Sequence, residues 1–275
     1  MTQSSFWKAS DSLHKKRLIF GTAVIGGGYA GSLIGLQTVW YQNPWTNFHF
    51  FNDGGEWLQM DKAGHTFSSY QIAKNTSSFY AWTGVKKKKA TWIGVGVGLS
   101  YLTLVETLDG FSPDWGFSMY DMLANTSGVF IFFGQERLLK QQVFLPKFSF
   151  HKTAYAALRP EILGSTFSQQ LLKDYNGQTY WLSFSPGNFG ENTFPKWLCF
   201  SLGYSADQKI VGGEDTYLNY HAQREFLFSL DVDFSKIPVK RPFWKLVFNQ
   251  LNYLKVPFPA FMIHGKTPTF KPFYF

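Results

Sequence analysis

Cysteine is nearly missing from this chain. Cys199 is the single one in 275 residues, so no internal disulfide can form, and no cysteine stands near the start to carry a lipid. Charge is sparse too: 16% of residues are Asp, Glu, Lys or Arg, against roughly 25% in an average soluble domain. Repeats and low-complexity segments are absent. "GVGVG" is followed by no Lys or Ser/Thr in register for a phosphate loop, and no HExxH pattern or recognisable nucleic-acid motif occurs. These gaps exclude a disulfide-stapled scaffold and leave no sequence signature for a nucleotide enzyme or a metalloprotease.

Aromatic rings are abundant instead. Thirty Phe, fourteen Tyr and ten Trp make up 20% of the chain, a composition suited to surfaces that are apolar on one side and wet on the other. The mean hydropathy is slightly negative, too low for a simple multi-spanning transporter, so only part of the chain belongs in lipid. The net charge of +8 falls in short blocks, "HKKR" at 14–17 and Lys86, Lys87, Lys88 and Lys89, each against an apolar segment. That is the placement of basic flanks on membrane helices and points to membrane lipid rather than nucleic acid as a partner. The first apolar run, to Trp40, is long enough to span a bilayer. "GYA" at 28–30 also offers small residues for signal cleavage, and an uncleaved helix is favoured over that alternative.

Residues 41–59 read as an aromatic loop with a turn signal at "NDGG". Helices are expected over 61–82, 90–110 and about 118–140, with Asp61 at the first N-terminus. Gly94, Gly96 and Gly98 are assigned to close helix packing, as is Gly128. After Pro146 the pattern changes to strands. "LCFSLGYS" and "FLFSLDVDFS" alternate with period two, and "QTYWLSFS" at 178–185 is a third candidate. Residues 241–254 read as an amphipathic helix carrying Trp244, Val247, Phe248, Leu251 and Leu254 on one face. Apolar-out, polar-in strands and a final aromatic at Phe275 are similar to outer-membrane barrels. About five strands are visible, too few for a small barrel, so a sheet half-buried on helices is the preferred expectation.

If the three later helices run antiparallel, Asp61, His65, Glu106, Asp109, Asp121 and Asn125 fall at one end and the lysine run and "ERLLK" at the other. Asp61 and His65 are spaced i, i+4, as are Asp121 and Asn125, while Glu106 and Asp109 are i, i+3, so each pair shares a helix face. Ser69 extends the first row by a turn, and Lys62 lies beside it. Ionisable groups at membrane depth are costly unless they satisfy one another, which favours a single cluster. Three uses remain open for it. Asp61, His65, Glu106 and Asp121 could hold a divalent metal. His65 could act as general base with Asp61, Glu106, Asp109 or Asp121 as its carboxylate. The network could instead simply fix helix register, with Lys62 reaching to the surface.

"DKAGH" at 61–65, Glu106 and "DMLANTSG" at 121–128 resemble the D-K-x-x-H … E … D-x-x-x-N-x-x-G pattern of VanZ-like membrane proteins. The likeness is closer to an uncharacterised bacterial family of predicted periplasmic lipoproteins and envelope proteins, in its long Bacteroidota-type form. The resemblance covers about 57–140 and implies an envelope location with no established reaction. The expected fold is therefore membrane α+β. A signal-like or membrane helix (1–41) and an aromatic loop (42–60) precede a VanZ-like helical bundle (61–145), and an antiparallel β-rich region (146–275) with an amphipathic helix follows. The expected role is a non-enzymatic accessory or structural part of a larger outer-membrane assembly, bound to lipid and other envelope proteins and needing no certain cofactor. The alternatives are a membrane-surface enzyme acting on a lipid or glycan headgroup, and an inner-membrane location with the cluster facing the periplasm.

Overall fold

The computed structural model describes residues 6–41, 43–190 and 193–274; Phe275, the final aromatic of the barrel-like pattern, lies outside them. The chain folds as two compact units. One holds the described residues up to Asp53 together with Ser68–Lys140, the other Gly54–Phe67 together with the described residues from Gln141 onward. The division runs through one helix rather than falling at its start.

The first unit is helical: α1 (Lys15–Trp40), most of α2 (Met60–Trp82), α3 (Lys87–Asp109) and α4 (Met119–Leu138). The expected helices are thus present, with shifts of a few residues at their ends. α3 begins inside the lysine run, and Lys87 Nζ stands 2.8 Å from Glu136 Oε2 on α4, a counter-charge at a helix N-terminus that otherwise repels cations. Tyr70, Ala73, Val129 and Phe132 form the core of this unit. α1 packs beside α2 and α3 through hydroxyl pairs, Tyr29 with Thr76 at 2.8 Å and Ser32 with Tyr101 at 2.6 Å. Its remaining faces are largely exposed. Among the described residues, α1 and α3 are the helices long and apolar enough to cross a membrane.

The second unit is built on an antiparallel six-stranded sheet. Its strands are β1 (Phe144–Phe150), β2 (Gln178–Phe184), β3 (Leu198–Asp207), β6 (Gln223–Val232), β7 (Phe258–His264) and β8 (Thr267–Tyr274), in that spatial order. A small hairpin of β4 (Thr216–Tyr217) and β5 (Tyr220–His221) interrupts the succession, and α5 (Pro160–Leu163), α6 (Phe167–Lys173) and α7 (Pro242–Leu251) lie in the connections. The sheet is open rather than a closed barrel. β1 and β8 are its edges, and residues 253–255 bond to β1 through Phe148 N–H to Tyr253 O and Lys255 N–H to Phe148 O. That covers part of an edge that would otherwise template pairing.

The faces of the sheet are inverted. Leu202, Phe226, Phe228, Phe261 and Phe270 are exposed, while Ser183, Ser201, Ser205, Ser229 and Asp231 on the opposite face are buried. The reason lies in what fills the inner side. Lys147 and Asp231, both 0% exposed, form an ion pair at 2.8 Å. Asp231 also accepts from the Ser183 hydroxyl at 2.7 Å and the Val256 amide at 3.0 Å, and Lys147 donates to Val232 O at 2.7 Å. Ser183 and Ser201 share a hydroxyl hydrogen bond. Trp181 fits inside because position 203 is glycine: a Cβ there would stand 2.7 Å from its ring. The Trp181 indole N–H donates to Ser149 Oγ at 2.9 Å, and Lys255 sits 4.9 Å from the ring. Burial pushes the Lys255 amine down to about 8, with Asp231 opposing the shift.

Removing one partner of a buried ion pair leaves an uncompensated charge, which costs about 3–5 kcal/mol, whereas replacing both with apolar residues is often neutral. Lys147→Met is expected to lower unfolding free energy in that range. Lys147→Met with Asp231→Leu is expected to recover a large part of it, as read by chemical denaturation in detergent.

Candidate functional site

In the helical unit the acidic residues gather where α3 ends and α4 begins. Ser118 is the N-cap of α4: its hydroxyl accepts from Asp121 N–H at 3.0 Å and donates to Asp53 Oδ1 at 2.5 Å. This places Asp53 and Asp121 at a helix N-terminus, where the peptide dipoles favour negative charge. Carboxylate oxygens of Asp53 and Asp121 approach within 4.8 Å, and so do those of Glu106 and Asp121. All three carboxylates are buried, and Asn125 is fully buried one turn along α4 from Asp121. Buried like charges at such separations are stable only if cations or protons offset them. Asp53 was not singled out by sequence because it sits in the "NDGG" turn. The serine cap is the signal that reveals it.

The other expected residue of α3, Asp109, accepts from the Tyr41 hydroxyl at 2.7 Å, so it serves the contact between α1 and α3. Ser69 is fully buried on α2. A Cβ on Gly94 would stand 2.3 Å from Ala73 O, and one on Gly98 within 3.3 Å of Ala73 Cβ and Ser69 O, so α2 passes close to both glycines. Gly96 does not share this approach. Two residues along a helix is a rotation of about 200°, and a Cβ on Gly96 would meet open space. Gly128 is buried on α4. The four lysines 86–89 are exposed.

Asp61, Lys62 and His65 occupy the first two turns of α2, which belong to the sheet unit. The chain reaches them through Trp57, Leu58 and Gln59, three consecutive non-glycine residues in the left-handed region (φ 48°, 52° and 62°). Left-handed turns of L-residues cost roughly 1–2 kcal/mol per residue, and burial offsets this. Trp57 packs with Leu163 and Ile210, Leu58 with Met60 and Ala206, and the Leu58 carbonyl accepts from the Tyr204 hydroxyl. Phe67 then packs on Phe148 and Tyr180, with centroids 5.9 Å apart in each case. The Tyr180 hydroxyl is pushed above its ordinary range by burial and by Asp61. Lys62 does not reach out as expected. Its Nζ folds back on Asp61 Oδ2 at 2.8 Å, and both side chains are 13% exposed. Asp61, His65 and Ser69 remain one row along the continuous α2, at i, i+4 and i+8.

Residues 49–133 match the family model described as predicted periplasmic lipoprotein. This stretch is similar to DUF2279. No curated protein and no solved structure matches the chain. The DUF2279 stretch contains Asp53, Asp61, His65, Glu106, Asp121 and Asn125 and ends before the first strand of the sheet. The description of DUF2279 gives an envelope association and no reaction. Cys199, buried in β3 beyond the DUF2279 stretch, is not presented for acylation.

Gly94→Ala forces a methyl against a backbone oxygen and is expected to cost about 1–3 kcal/mol. Gly96→Ala gains helix propensity and is expected to stabilise by up to about 1 kcal/mol. Thermal unfolding of the two variants side by side gives the comparison.

Proposed function

We propose that this chain is a non-enzymatic membrane protein of the cell envelope, an accessory component of a larger outer-membrane assembly that it meets through the outer face of its sheet. The observation that carries this reading is the exposed apolar face. Phe228 and Phe261 are direct cross-strand partners, 45% and 63% exposed, and Phe200 stacks on Phe228 while Phe270 packs on Phe261. A contiguous apolar surface of this kind marks an interaction site. α7 adds a second one: Phe243, Trp244 and Leu246 are exposed beside Lys240, Arg241 and Lys245, the composition of a helix lying at an anionic lipid surface. The sheet face recruits the protein partner and α7 holds the lipid.

Phe228→Lys with Phe261→Lys is expected to leave the fold intact, because exposed positions tolerate substitution within roughly 0.5 kcal/mol. Co-purification of outer-membrane proteins from the native host should be abolished. Unchanged co-purification by a folded double variant would reject the reading.

A second reading is favoured by one observation, the buried Asp121 carboxylate approached by two other buried carboxylates, Asp53 and Glu106, within the DUF2279 stretch. In that reading the chain is a membrane-surface enzyme acting on a lipid or glycan headgroup, and these carboxylates hold a divalent ion that activates water or polarises the headgroup. Paired measurement of abundance and phenotype for Glu106→Gln and Asp121→Asn separates the two. Under the favoured reading phenotype falls in proportion to abundance, and loss of function at full abundance selects the enzyme.

A further inference from the structure

The polar inner face of the sheet opens at one end into a cavity of 480 Å³ lined by His151, Asp207, Glu225, His264, Lys271 and Tyr274 among others. Three of these side chains come from adjacent strands and point to the same face. Glu225 on β6 is the direct cross-strand partner of His264 on β7, and Asp207 is the last residue of β3, which pairs with β6. One ligand atom from each of Asp207, Glu225 and His264 lies within 4.8 Å of the others. We propose that this end of the sheet is a binding site for a divalent transition-metal ion of the zinc class, held by Asp207, Glu225 and His264.

The distances suit that ion. Nitrogen and oxygen ligands about 2.0–2.1 Å from a tetrahedral zinc stand roughly 3.4 Å apart, and His264 Nδ1 is 2.9 Å from Glu225 Oε1 and 3.9 Å from Asp207 Oδ2. Shifts of about half an ångström in side chains carried by rigid strands bring the three around one centre. The second Asp207 oxygen is already committed: Oδ1 accepts from the Tyr155 hydroxyl at 2.8 Å. The Tyr155 bond is the outer support that oriented metal carboxylates carry, and Oδ2, which also accepts from the Gln208 amide at 3.4 Å, faces His264. The turn after His264 is equally fixed, since Gly265 has φ +59° and joins His264 to its partner Thr267. One imidazole with two carboxylates selects zinc-class ions over magnesium or calcium, which take oxygen ligands. Three protein ligands leave the fourth position on the ion open to water or to an anionic group entering the cavity past Lys271. The site is independent of the apolar outer face and of the acidic residues in the helical unit.

Equilibrium dialysis of the full chain in detergent against zinc tests it, with excess magnesium present. The wild-type chain is expected to bind zinc at this site, His264→Gln and Glu225→Gln to weaken that binding by more than about 100-fold, and Tyr155→Phe by about 10-fold, as loss of an outer support does. Lys88→Gln, in the exposed lysine run and outside both acidic clusters, is the control and should leave the binding unchanged. Cobalt in place of zinc gives a visible spectrum that His264→Gln alters by removing the nitrogen ligand. Should a ligand variant fail to fold, Tyr155→Phe carries the decision. No zinc bound by the wild-type chain, or equal binding by folded His264→Gln and Tyr155→Phe, overturns the proposal.

Discussion

Asp231 organises the sheet unit. Its carboxylate is fully buried and receives Lys147 from β1, the Ser183 hydroxyl from β2 and the Val256 amide from the segment that enters β7. A buried charge is tolerable only when every acceptor position is used, so these elements can meet in one register. A slip of one residue in any strand would turn Lys147, Ser183 or Asp231 outward and bring an apolar neighbour in. Serines and threonines surround this charged centre on the inner face, which they share with the buried Trp181, Leu227, Ala260 and Met262. The phenylalanines are left for the outside.

This inversion separates the molecule's two kinds of chemistry. The inner face holds polar side chains away from water, where electrostatic interactions are stronger. The outer face offers rings to whatever apolar phase or partner surrounds it. The helical unit does something comparable on a smaller scale, with Asp53, Glu106 and Asp121 buried at one end and the lysines exposed at the other end of α3.

Much of this architecture was legible in the sequence. The four long helices, the period-two strands β2, β3 and β6, and the parity of their faces all follow from residue spacing. Which face is buried does not, because parity says only that Phe200 and Ser201 point opposite ways. β1 was hidden by Pro146, and β7 and β8 were blurred by Pro259, Pro268 and Pro272. β1 and β8 are edge strands and the β7–β8 ladder has a bulge at Phe258–Ala260, which is where sheets accept proline. The left-handed turn at Trp57–Gln59 had no sequence signal, since neither glycine nor asparagine occupies it. Asp207, Glu225 and His264 are far apart along the chain and are brought together by strand order alone. Their shared inward parity with Ser205, Leu227 and Met262 was the available clue.

The left-handed turn before α2 also sets a phase. A helix advances about 100° per residue, so the angular position of Asp61 and His65 is dictated by where the right-handed winding begins. Trp57 and Leu58 are locked into separate apolar clusters on either side of that starting point. The turn therefore acts as an indexing pin. Losing or gaining a single residue between Leu58 and Asp61 would rotate the whole polar row by more than a quarter turn without changing any residue in it.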